Sequence, residues 1–129
     1  MMKKLLSVFI LLVGIFSIAQ EGPKIEFKTE TINYGEVVKG EDDGMREFVF
    51  TNIGDSPLII KNVKSSCGCT VPEWPKTAIE PGKSDKIIVK YNMNPGPISK
   101  TITVESNALN KPNGVIPLRI KGTVIKKDK

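Results

Sequence analysis

Ile116-Pro117-Leu118-Arg119-Ile120-Lys121-Gly122-Thr123-Val124 is the stretch that decides how this chain folds. Ile116, Leu118, Ile120 and Val124 fall on one side of it, and Arg119, Lys121 and Thr123 on the other. Successive side chains of a strand point to opposite faces, so one side belongs in a core and the other in water. The same two-residue period runs through Ile25 and Phe27, Phe48 and Phe50, Ile87 with Val89 and Tyr91, and Ile102 with Val104. No segment carries a comparable 3.6-residue period. Turn residues fall between the runs: Asn52 to Pro57, Glu80-Pro81-Gly82-Lys83, Asn94-Pro95-Gly96-Pro97, and Ser106 to Gly114. Gly supplies positive φ, Pro presets φ, and Asn or Asp bonds its own local backbone. The expectation is an all-β, immunoglobulin-like antiparallel β-sandwich of about seven strands.

Two local features refine it. Leu58 and Ile60 share a phase, but the next apolar residue in the run is Val63, which requires a β-bulge near Lys61-Asn62. Pro117 cannot donate to a ladder, so its strand lies at a sheet edge or is only beginning to pair there. Arg119 and Lys121 read as guards against unwanted pairing along such an edge.

The first residues tell a different story. Lys3-Lys4, an apolar run from Leu5 to Phe16, and Ser17 and Ala19 before Gln20 have the layout of a secretory signal peptide. The uncharged stretch Leu5 to Ala19 is shorter than the roughly 18–20 residues needed to cross a bilayer, which favours cleavage over anchoring. A leader over residues 1–19 is therefore expected, followed by one domain over 20–129. The protein is then secreted or periplasmic, with no stable membrane insertion after cleavage. Loss of Lys3 and Lys4 lowers the formal charge from +5 to +3, too little to argue for nucleic acid. The Lys126-Lys127-Lys129 tail reads as a solvated end.

Histidine is absent, which removes the commonest general base and the commonest metal ligand. No nucleophile elbow, phosphate-cradling glycine loop or N-x-Ser/Thr acceptor is present. These features point away from an enzyme and imply no cofactor. Glu41-Asp42-Asp43 before Gly44 reads as a solvated hairpin in preference to a calcium loop, whose ligands are spaced and not adjacent.

Phe48-x-Phe50-x-Asn52-x-Gly54, Pro57-Leu58-x-Ile60, Ser66-Cys67-Gly68-Cys69-Thr70, Pro81-Gly82 and Ser106-Asn107 together resemble domain-of-unknown-function family 1573. Leu118-x-Ile120-x-Gly122-x-Val124 extends the match, which covers about Ile25 to Val124. The Cys-Gly-Cys-Thr core is its most specific part. The resemblance implies an exported immunoglobulin-like domain, related in architecture to major-sperm-protein and pilus-chaperone sandwiches. It implies no activity and no site residue, the Cys pair remaining a point of interest.

Cys67 and Cys69 are the only two cysteines. Exported cysteines usually pair, and Gly68 permits a turn tight enough for a bridge. Closing a three-residue loop stabilises little, about 1.6 kcal/mol by extrapolation of the loop-entropy relation. Two sharper readings stay open. As thiolates the pair could hold Cu(I), with Met45 or Met93 adding a thioether; zinc fits less well, because it wants four ligands. As a labile bridge it could exchange disulfides.

Trp74, between Pro72 and Pro75, is read first as a cap over the open end of the core and second as a binding anchor. Gly68, Thr70 and Trp74 form the candidate binding loop. The function expected is a non-catalytic binding or assembly module engaging a protein at the cell envelope. Thiol-based Cu(I) handling or disulfide exchange through Cys67 and Cys69 is the alternative. A carbohydrate-binding module fits the fold but has only one Trp and two Tyr to offer.

Overall fold

The alternation resolves into two packed sheets in the computed structural model, which describes residues 22–126. The expected leader, residues 1–19, lies outside the described residues, as do Lys127 and Lys129 of the tail. The strands are β1 (Ile25–Phe27), β2 (Thr31–Val38), β3 (Met45–Asn52), β4 (Ile60–Ser65), β5 (Thr70–Glu73), β6 (Ser84–Tyr91), β7 (Gly96–Ser106) and β8 (Val115–Ile125). One sheet has the order β1-β3-β6-β5 and the other β2-β8-β7-β4.

The inward positions read from the sequence are the core. Ile25, Phe48, Phe50, Ile87, Ile102 and Leu118 are essentially inaccessible to solvent. The Phe27 and Phe50 rings meet in a tilted pair with centroids 5.5 Å apart. The bulge expected near Lys61-Asn62 is present: the β4–β7 register slips between Ile60 and Asn62, so Ile60 and Val63 both face inward.

Three expectations need correction. Eight strands form among the described residues, not about seven, because β2 and β5 carry no clean alternation in their sequences. The sandwich is not wholly antiparallel, since β2 runs parallel to β8. Finally, β8 is interior to its sheet, between β2 and β7, so Arg119 and Lys121 guard no edge and simply face solvent.

Pro117 is tolerated there for a specific reason. The Arg119 N–H bonds the Glu30 carbonyl on the β2 side at 2.9 Å. Backbone donors alternate in direction along a strand, so the nitrogen of Pro117, two residues earlier, also faces that side. The β2 pairing starts at Thr31 opposite Arg119, so no partner has yet arrived at Pro117. The strand is interior, but pairing on that side is only beginning.

The strand directions sort the loops into two ends. Met45 pairs with Lys90, Thr70 with Tyr91 and Gly96 with Val124. Residues 39–44, 66–69 and 92–95 therefore gather at one end, together with Ile125. The opposite end is stitched around the first described residues: Ile53 N–H bonds Lys24 O, Asp55 N–H bonds Gly22 O, and Leu109 N–H bonds Pro23 O.

Candidate functional site

The chain passes from one sheet to the other through the cysteine turn. Where β4 ends, Ser66 N–H bonds Thr101 O at 2.9 Å, and Thr101 N–H returns a bond to the Ser66 hydroxyl at 3.2 Å. The Ser65 hydroxyl donates to Cys67 O at 2.8 Å and accepts from Cys67 N–H at 3.3 Å, a local hydroxyl turn that competes with strand continuation. Cys67 and Cys69 are joined in a disulfide across Gly68, with Cα atoms 5.4 Å apart. Cys69 N–H donates to Cys67 Sγ at 3.2 Å. On the far side, Asn92 N–H bonds Cys69 O, and Thr70 opens β5 opposite Tyr91. The bridge thus shapes the crossing between the edge strands β4 and β5. Both cysteines are half-buried, Cys69 packs against the core, and a side chain grown from Gly68 would meet nothing within 4 Å.

The residues of the candidate binding loop are not gathered into one surface. Gly68 is exposed at the turn, whereas Thr70 is 3% exposed and points inward at the start of β5. Its hydroxyl is a buried polar atom with no hydrogen-bond partner. Trp74 follows β5, roughly 13 Å farther on at about 3.3 Å per residue. It packs against the margin of the core, with the Lys76 ammonium 3.4 Å above its ring. Glu73, Pro75, Asp85, Lys86 and Ile88 share a shallow hollow with it. Of the candidate thioethers, Met45 is exposed at the start of β3. Met93 is buried next to Asn92 in the left-handed region, at φ 62°. With both cysteine sulfurs in the bridge the turn offers no thiolate, so a soft metal would require reduction first.

The acidic run wires its own turn. Asp42 takes a two-pronged bond from Arg46, at 3.1 and 2.8 Å, and caps Gly44 N–H at 2.7 Å. The Arg46 guanidinium also lies 4.0 Å over the Tyr34 ring, and the Tyr34 hydroxyl donates to Gly44 O at 2.7 Å. The guanidinium holds the Asp42 carboxyl below its ordinary range, with the Gly44 N–H assisting. Burial pushes the Tyr34 phenol up to about 12, against the lowering effect of Arg46.

All four sheet edges carry an interruption, as expected where strand addition is to be avoided. The outer edge of β1 is closed by the Asn110 side chain, which accepts from Ile25 N–H at 3.0 Å and donates to Ile25 O at 2.9 Å. The β2 register shifts between Asn33 and Glu36, where Gly35 sits at φ 70°. The β4 edge has its bulge, and β5 contains Pro72. Asn110 escaped sequence reasoning because its partner is 85 residues away.

Also missed were the exposed apolar side chains. Ile53 (49% exposed), Ile59 (45%) and Leu109 (65%) all stand at the end stitched around Gly22 to Lys24. Ile59 and Asn107 are tied by reciprocal bonds, Ile59 N–H to the Asn107 side chain at 2.8 Å and Asn107 N–H to Ile59 O at 3.2 Å. Apolar residues inside turn segments were the available signal.

The model of the family described as "Protein of unknown function (DUF1573)" matches residues 25–124. The chain belongs to this family. No curated protein sequence matches this DUF1573 chain. Its solved structural neighbours include a protein of unknown function from Porphyromonas gingivalis W83, at 15% identity and TM-score 0.68. That match covers 83% of this chain and 49% of the other, so the DUF1573 chain spans about half the length of that protein. A PapD-like domain of human CEP192 matches at 13% identity and TM-score 0.64, covering 95% of this chain and 99% of that one. The periplasmic chaperone SfaE matches at 15% identity and TM-score 0.51, covering 81% and 58% respectively. At these identities the likeness is one of fold, and the fold of this DUF1573 domain is PapD-like and immunoglobulin-like.

Proposed function

We propose that this protein is an exported, non-catalytic binding module that engages a protein partner at the cell envelope through the end bearing Ile53, Ile59 and Leu109. The observation that carries this reading is the placement of the exposed large apolar side chains. Among the described residues all five stand at the two loop ends: these three at one end, Met45 and Ile125 at the other. Grouped exposed apolar residues favour protein contact, because their burial removes surface that water solvates poorly. The interrupted edges support contact through loops in preference to strand addition. Export is supported by the leader-like residues 1–19 and, at the level of fold, by the periplasmic chaperone among the neighbours.

The test uses photo-cross-linking residues placed at Ile53, Leu109 or Lys121 in the full chain expressed in cells. The first two positions are expected to capture a protein partner in the envelope fraction, and Lys121, on an outer sheet face, is not. Capture from position 109 should disappear when Ile53→Glu and Ile59→Glu are added, while the circular dichroism stays that of the parent. Capture that survives this variant, or that is equal at Lys121, would falsify the reading. Intact mass of the exported protein checks the leader, with Gln20 expected as the first residue.

A further inference from the structure

We propose that the Cys67–Cys69 bridge is a thiol–disulfide exchange site for a small thiol or a dithiol protein, with Cys67 as the sulfur that carries the negative charge. Three observations lead there. First, the bridge spans residues only two apart, so it constrains the unfolded chain very little. Linkage makes this reciprocal: a bridge that lends the fold little stability receives little protection from the fold. It can therefore open without unfolding the domain, unlike a staple that closes a long loop. Second, the turn is accessible. Both cysteines are half-buried and the space above Gly68 is open, so an incoming thiolate is not walled off. Third, the two sulfurs are unequal. Cys67 Sγ accepts the Cys69 backbone N–H at 3.2 Å, while the Ser65 hydroxyl and the Asn92 N–H hold the backbone on either side. A fixed N–H donor favours an anionic sulfur over a neutral thiol.

The step balances as follows. An external thiolate attacks Cys69 Sγ, the S–S bond breaks, and Cys67 leaves as a thiolate held by the Cys69 N–H. This leaves a mixed disulfide between the external sulfur and Cys69. A second external thiolate attacks the external sulfur, releases the oxidised product and frees Cys69, which takes a proton from water. Overall two thiolates are oxidised to one disulfide, and the bridge takes up two electrons and one proton, Cys67 staying a thiolate and Cys69 becoming a thiol. Run in reverse, the Cys69 thiolate opens an incoming disulfide to form the mixed disulfide, and the Cys67 thiolate then attacks Cys69 Sγ, closing the bridge and expelling the external thiolate.

The experiment equilibrates the purified protein in glutathione buffers of varied ratio, traps thiols by alkylation and counts them by intact mass. The bridge is expected to open in millimolar reduced glutathione with unchanged circular dichroism. A bridge that stays closed until the protein is denatured overturns the proposal. The Cys69→Ser and Cys67→Ser variants then isolate each thiol for alkylation kinetics, with Cys69→Ala and Cys67→Ala as substitutes if either fails to fold. At neutral pH Cys67 is expected to react several-fold faster than Cys69, and the ratio should narrow at alkaline pH, where both are thiolates. Equal rates, or a ratio that pH leaves unchanged and that therefore reflects access alone, overturn the assignment of Cys67.

Discussion

Asn52 shows how much one side chain does at the end of a strand. It is fully buried, and its amide donates to Ser56 O at 2.8 Å and Ile79 O at 2.9 Å while accepting from Gly54 N–H at 2.9 Å. The β3–β4 turn is thereby tied to the segment before β6. Asn52→Ala strands the Ser56 carbonyl and the Gly54 amide and leaves the Ile79 carbonyl only its bond from Leu58 N–H, and we expect it to cost about 2–4 kcal/mol in urea denaturation. Gly54 belongs to the same device, since a Cβ there would collide with the Gly22 carbonyl. Thr70 is the opposite case: its hydroxyl is buried with no partner, so Thr70→Val should be neutral or stabilising by up to about 1 kcal/mol. A loss larger than that would mean the hydroxyl is bonded in solution. The Asn52-x-Gly54 spacing and the cysteine pair were visible in the sequence because the groups act on close neighbours. The closure of β1 by Asn110 was not, because nothing local distinguishes that amide from any other in a turn.

Strand by strand, legibility follows the regularity of the surroundings. Strands β3, β6, β7 and β8 have one face in the core and one in water, so their residues alternate and could be read directly. In β2, Ile32 and Tyr34 share a phase that Val37 abandons, because the register slips between Asn33 and Glu36. β5 is four residues long and contains Pro72, which donates nothing to a ladder, so it has no run of alternation to read. Pro117 exposes the limit of such rules, since what matters is whether a partner faces the nitrogen and not whether the strand is interior. The consequence is position-specific. Arg119→Pro removes the bond to Glu30 O and is expected to destabilise by about 3 kcal/mol, whereas Pro117→Thr should be nearly neutral. Urea midpoints of the two variants decide it; no loss in Arg119→Pro, or a clear gain in Pro117→Thr from a newly paired N–H, would overturn this account.

For the molecule as a whole, stability rests on the apolar layer between the sheets and on how the loop ends are pinned. The bridge adds little to either. At the disulfide end the pin is the stack of Arg46 on Tyr34, with Asp42 closing the guanidinium and the Tyr34 hydroxyl bonded to Gly44 O. Its two titratable acids set opposite limits. The Asp42 carboxyl is held below its ordinary value, chiefly by the hydrogen bonds from Arg46, so its stabilising effect is present above the unfolded value and fades as pH falls through the lowered one. Burial raises the Tyr34 phenol from 10.0 to about 12, so the native state holds that proton more tightly than the unfolded chain does. The contribution is complete below pH 10 and is lost as pH rises through about 12. Tyr34→Phe lacks the ionisation but keeps the ring under Arg46, which makes it the right comparison. Every other side chain is common to both proteins, so only the difference between the two matters. Across pH 8 to 12 the advantage of the parent over Tyr34→Phe should hold constant to about pH 10 and then shrink. A difference that remains flat to pH 12 would show that the phenol ionises no later in the folded protein than in the unfolded one.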